Sequence, residues 1–142
     1  MNFLKCTVFA LGIITIGACK KSEEQPNKLV GIWLKKKSER KSTGSPWEDI
    51  TQDCMLDNTE EYRANGTYVL YPGSDWCTPS DETIEGTWKL TAGGTIIQYT
   101  YKGVSGTYES TISSVDNTTL VVTFATGTGA GDQIRDTYTR KQ

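Results

Sequence analysis

The stretch Ile84-Glu85-Gly86-Thr87-Trp88-Lys89-Leu90-Thr91 alternates without a slip. Ile84, Gly86, Trp88 and Leu90 fall on one face; Glu85, Thr87, Lys89 and Thr91 fall on the other. That two-residue period belongs to a half-buried β-strand. It returns three times. Ile97, Tyr99 and Tyr101 oppose Gln98, Thr100 and Lys102 within Thr95 to Lys102. Leu120, Val122 and Phe124 share a face within Thr119 to Ala125, and Ile134, Asp136, Tyr138 and Arg140 share one within Gln133 to Lys141. No apolar stripe of helical period extends beyond two turns. From Leu29 onward the chain must bury its apolar side chains as sheet.

The joints between these runs are tight. Asn65-Gly66 sits between Tyr62-Arg63-Ala64 and Thr67-Tyr68-Val69-Leu70-Tyr71, and Asn-Gly between two β-like runs is a hairpin signal because both residues tolerate positive φ. Pro72-Gly73-Ser74-Asp75, Gly93-Gly94 and Asp116-Asn117 punctuate the later runs. Leu29 to Leu34 opens the series, Trp47 to Thr51 is a short second strand, and a further strand runs from about Gly106 to Val115. Eight to nine short strands joined this way form an antiparallel meander, and closure into an up-and-down barrel removes its edges. The predicted fold is all-β, with no substantial helix.

The start of the chain is different. Lys5 precedes the apolar run Val8 to Thr15, and Ile16-Gly17-Ala18-Cys19 follows. A basic start, an apolar core and small residues before a cut are the parts of a secretory signal. The run is too short to span a bilayer, which takes about 20 apolar residues. Ile16-Gly17-Ala18-Cys19 resembles the lipobox of bacterial lipoproteins. The resemblance implies that residues 1–18 are a signal peptide, that Cys19 carries lipid (palmitate among the acyl chains), and that the protein is held by this lipid at the outer membrane or cell surface. Residues 19–28 contain no apolar side chain after Cys19 and read as a disordered tether, leaving 29–142 as one domain.

Composition narrows the chemistry. The chain of 142 residues has 15 Lys+Arg, 17 Asp+Glu and no histidine. A mildly acidic chain is a poor partner for nucleic acid, whose phosphates need a basic surface. Without histidine there is no imidazole for acid–base catalysis, for a Ser-His-Asp triad or for a His-containing zinc site. Of the four cysteines, Cys6 leaves with the signal and Cys19 is assigned to lipid. Cys54 and Cys77 then remain, and in an exported protein two such cysteines most simply pair. No cofactor motif is present. Asp53, Asp57, Asn58 and Glu60 lack the spacing of a calcium loop and read as a turn and strand entry capped by Asx side chains. Gly127 to Gly131 lacks the Lys-Ser/Thr ending of a phosphate loop. Lys35-Lys36-Lys37, with Arg40 and Lys41, reads as a solvated strand end and loop, the competing reading being a patch for an anionic ligand or lipid surface.

Taken together, Leu29-Val30-Gly31-Ile32-Trp33, Cys54 with Asp57 and Asn58, Tyr62 to Tyr68, Cys77, Gly86-Thr87-Trp88-Lys89-Leu90 and Thr119-Leu120-Val121-Val122 resemble a lipocalin-like family of bacterial lipoproteins. The resemblance covers Leu29 to Arg140. It implies that Trp33 of Gly31-x-Trp33 plugs one barrel end and packs on a basic residue late in the chain, with Arg140 the first candidate and Arg135 the second. The expected inward side chains are Trp33, Tyr62, Tyr68, Leu70, Trp88, Leu90, Ile97, Tyr99, Tyr101, Phe124 and Tyr138. An eight-stranded barrel either fills with such side chains or holds one small ligand. Trp33, Tyr62, Tyr68, Trp88, Tyr99, Tyr101 and Tyr138 are the candidate ligand-binding residues, their apolar bodies and polar tips suiting a small hydrophobic or amphipathic molecule. The expected function is non-enzymatic: binding such a ligand in the cell envelope. The alternative is a structural lipoprotein with a filled barrel that docks another envelope protein.

Overall fold

The alternating runs close on themselves. A computed structural model describes residues 27–78, 82–127 and 131–142; the signal peptide, Cys19 and most of the tether lie outside the described residues. Nine strands follow in chain order: β1 (Gly31–Lys41), β2 (Glu48–Asp49), β3 (Thr59–Tyr62), β4 (Thr67–Tyr71), β5 (Ile84–Thr91), β6 (Ile96–Tyr101), β7 (Tyr108–Val115), β8 (Thr119–Ala125) and β9 (Gln133–Arg140). Every pairing is antiparallel. Each strand from β3 to β8 pairs with the next, and β1 closes the ring by pairing with both β3 and β9. The result is an eight-stranded lipocalin-like barrel, with β2 as a two-residue addition on the outside of β1. Two short 3-10 turns, at Asp53–Met55 and Ala92–Gly94, are the only helical pieces among the described residues.

Up-and-down order sends the connections to opposite ends. The Asn65-Gly66 hairpin, the Ala92–Gly94 turn, the Asp116-Asn117 turn and the start of β1 lie at one end. The longer β4–β5, β6–β7 and β8–β9 connections lie at the other. The short-turn end is solid. Trp33, Ile97 and Leu120 are fully buried there with Leu29, and Leu90, Ile112 and Val115 pack against them. Trp88 and Tyr62 meet edge-on at 5.4 Å, an arrangement favoured by the ring quadrupole.

Arg140 seals this end. Its guanidinium stands 4.2 Å from the Trp33 ring centroid. Nε donates to the Asn117 carbonyl at 2.8 Å, Nη1 to that of Val30 at 2.7 Å, and Nη2 to that of Lys28. The Trp33 indole donates to the Leu29 carbonyl at 2.8 Å. Gly31, at φ 144°, is required here because a Cβ at that position would collide with Arg140 Nη1. Asn27 and Lys28 are part of this seal rather than the end of a tether: Val30 N–H donates to the Asn27 carbonyl at 3.0 Å, and Leu29 N–H to its side chain at 3.1 Å.

The lysine run departs from its sequence reading. It is not a strand end and loop: β1 continues through Lys35, Lys36 and Lys37 to Lys41 and forms the longest seam of the barrel, against β9. A bulge between Lys35 and Lys37 inserts Lys36. Before it, Lys35 pairs with the inward Tyr138; after it, Ser38 pairs with the inward Asp136, so Lys37 and Glu39 turn outward. An extra residue shifts a period-two pattern by one, which reverses the faces beyond it. Outside, Glu39 joins Lys37 at 2.8 Å and Arg135 at 2.7 Å, and Arg135 covers the Trp47 ring at 4.2 Å.

Cys54 and Cys77 form a disulfide, with Cα atoms 5.2 Å apart. It ties the segment before β3 to the segment after β4. Beside it, the Asp57 carboxylate accepts from Ser74 N–H at 2.7 Å and Asp75 N–H at 3.1 Å, which fixes the turn at the far end of the β3–β4 hairpin.

Candidate functional site

Above the plug the barrel is not filled. A cavity of about 850 Å³ occupies the long-loop half. Its upper wall includes Thr107, Tyr108, Thr126 and Gly127, so it opens at the end where those loops lie. Tyr68, Leu70, Tyr99, Tyr101, Val122 and Phe124 line its sides. Lys35, Glu60, Asp136 and Tyr138 form its floor.

The strands explain this lining. Inward positions on β6 are Ile97, then Tyr99, then Tyr101, rising from plug to mouth. Across the ladder Tyr99 pairs with Tyr108. Ring centroids step upward from Tyr68 to Tyr99 at 5.0 Å, from Tyr99 to Tyr101 at 6.1 Å, and from Tyr101 to Tyr108 at 4.9 Å. One wall of the cavity is therefore a continuous tyrosine ladder.

The floor is polar. Glu60 on β3 is inward by the same alternation as Tyr62 and is only 8% exposed. Tyr62 donates to its Oε2 at 2.6 Å and Tyr138 to its Oε1 at 2.5 Å. Since the Tyr62 proton is directed to Glu60, Tyr99 is the donor in the 2.8 Å contact between the Tyr62 and Tyr99 hydroxyls. Burial lifts the Glu60 carboxyl above the ordinary range, against the opposing pull of the two tyrosine donors. Burial and the Glu60 charge raise the Tyr62, Tyr68, Tyr99 and Tyr138 hydroxyls, and Tyr101, less buried, is pushed up to about 12. All five are neutral donors at physiological pH.

Beside Glu60 lies an ion pair. Lys35 Nζ meets Asp136 Oδ2 at 2.8 Å and stands 5.5 Å from the Tyr138 ring centroid. Asp136 is 3% exposed, and its second oxygen, Oδ1, is buried with no hydrogen-bond partner among the described residues. A carboxylate this deep is costly unless compensated. The Lys35 ammonium compensates one oxygen only, Oδ2; the Tyr138 hydroxyl lies 3.2 Å from that same oxygen, but its single proton is directed to Glu60.

The candidate residues thus divide by level. Tyr68, Tyr99, Tyr101 and Tyr138 line the cavity. Trp33 and Trp88 lie in the plug, Trp88 donating to the Arg63 carbonyl at 3.0 Å, and Tyr62 is buried between the two levels. Three site residues escaped the sequence reading: Lys35, Glu60 and Asp136 as a charged floor. Glu60, read with Asp53, Asp57 and Asn58 as part of a turn and strand entry, is the second residue of β3 and faces the barrel interior. The signal was present, since alternation back from Tyr62 places Glu60 inward and alternation forward from Trp33 places Lys35 inward. The chain matches no protein-family model, and no curated protein matches it.

Proposed function

We propose that this protein is a small-molecule binder of the cell envelope, holding an amphipathic ligand in the open half of its barrel and carried on the membrane by a lipidated Cys19. The observation that supports this reading most is the cavity of about 850 Å³, whose walls are apolar and aromatic and whose floor is polar. A volume in the range of about 300–1,000 Å³ with a few convergent polar groups is what small-ligand sites provide. The division of labour within the barrel supports the same reading: one half is packed around Trp33, and the other is left open.

Native mass spectrometry of the purified full-length protein tests it. The expected result is a co-purified mass that leaves on unfolding and is absent from Leu70→Phe, which adds bulk to the cavity wall. A protein of bare mass that also takes up no apolar or amphipathic probe would overturn the proposal.

A second reading, docking of an envelope protein, draws on one observation. Trp76 is 55% exposed, beside a depression of the outer wall lined also by Ile32 and Tyr71.

A further inference from the structure

We infer that the ligand carries a cationic head, an amine or ammonium group on an apolar or aromatic body, and that this head sits on the floor of the cavity between Asp136, Glu60 and the tyrosine faces. This rests on the binding function proposed above and adds the chemical class of the ligand.

Charge comes first. The register places Glu109 opposite Gln98 on the outer face, and the two side chains join at 3.0 Å. Arg40 pairs with Ile134 at the rim and is exposed. The charged side chains left at the floor are Lys35, Glu60 and Asp136. Lys35 is committed to Asp136 Oδ2. One carboxylate of the floor has no cation, and a buried acceptor, Asp136 Oδ1, has no donor. Both vacant roles call for a positively charged hydrogen-bond donor. A carboxylate or phosphate head would meet the Asp136 charge and a second carboxyl group, Glu60, there, with the one ammonium already engaged.

The walls suit the same group. A cation is drawn to the faces of aromatic rings. Tyr68, Tyr99, Tyr101 and Tyr138 surround the floor on β4, β6 and β9, with successive rings 5.0–6.1 Å apart up the wall. Leu70, Val122 and Phe124 supply the apolar surface for the rest of the molecule. Neutral tyrosine hydroxyls alone would accept a head of any charge, so the carboxylates decide the sign.

Three probes with one body isolate the head group: phenylpropylamine, phenylpropanol and phenylpropionate. Each is titrated calorimetrically into the full-length protein at neutral pH. The amine is expected to bind at least about tenfold tighter than the carboxylate. Asp136→Asn and Glu60→Gln should each erode that ratio. Lowering the pH should weaken the amine in the unmutated protein as Glu60 takes up a proton, with Lys35, Tyr62, Asp136 and Tyr138 the groups facing it. The ratio in the unmutated protein depends on no variant folding. Phenylpropionate binding as tightly as the amine, or tighter, overturns the cationic head and leaves the binding function standing. If none of the three binds, the binding function fails and the inference with it.

Discussion

Replacing Arg140 by alanine should cost this barrel about 3.5 kcal/mol. The guanidinium makes three hydrogen bonds to carbonyls and one ring contact. Two of the bonds, to Asn117 and Lys28, lie at exposed atoms, where water replaces the lost donor and the net loss is about 0.5 kcal/mol each. The Val30 bond is partly buried and, as a charge-assisted contact, contributes about 1.5 kcal/mol. The cation–π contact with the buried Trp33 ring adds about 1 kcal/mol. For a domain of this size such a loss lowers the melting temperature by about 12 °C. Urea unfolding followed by tryptophan fluorescence measures it. Arg140→Lys should recover less than half, because an ammonium cannot reproduce the planar fork that reaches three carbonyls. Trp33→Leu combined with Arg140→Ala should cost less than the sum of the single changes, since the two share the ring contact. A loss below about 1 kcal/mol for Arg140→Ala, or strict additivity in the cycle, would refute the seal.

Other perturbations follow from the same coordinates. Breaking the Cys54–Cys77 bridge, which closes a 23-residue separation, should lower stability by about 3 kcal/mol on the chain-entropy model; an unchanged melting temperature under reductant would contradict this. Ile97→Ala, at a fully buried plug position, should cost about 2–5 kcal/mol by thermal or urea unfolding. Glu60→Gln tests the buried carboxyl through pH. A folded pKa above the unfolded value of about 4.3 means the native state holds the extra proton. The Glu60 contribution is therefore most favourable below the unfolded pKa and is lost as pH rises through the folded one. The stability of the variant relative to the unmutated protein should rise as pH climbs from the unfolded value through the raised folded one; a difference that is flat or falls with pH would refute the shift.

Much of the barrel was legible because each period-two run keeps its phase. The faces of β5, β6, β8 and β9 read directly from Ile84 to Leu90, Ile97 to Tyr101, Leu120 to Phe124 and Ile134 to Arg140. β1 was shortened in the sequence reading because two signals fail together there. Three consecutive lysines mask the strand, and the extra residue at Lys36 breaks the alternation where it would otherwise be seen. Glu60 was left out of the expected inward set for a different reason. A carboxylate was not counted among the inward apolar and aromatic side chains, yet alternation back from Tyr62 places it inward, and two tyrosine hydroxyls make the buried position tolerable. The cavity itself leaves no local mark in the sequence. Whether Tyr68, Tyr99 and Tyr101 interdigitate or line a space depends on the diameter of the closed ring and on what stands opposite each ring.

The most direct test of the account is where a ligand-like molecule touches the barrel. With tyrosine and tryptophan rings isotopically labelled, phenylpropylamine titrated into the full-length protein should shift the NMR signals of Tyr68, Tyr99, Tyr101 and Tyr138. Those of the Trp33 plug and the exposed Trp76 should stay in place. Shifts confined to Trp76 and Tyr71 on the outer wall, with the cavity tyrosines unmoved, would contradict it.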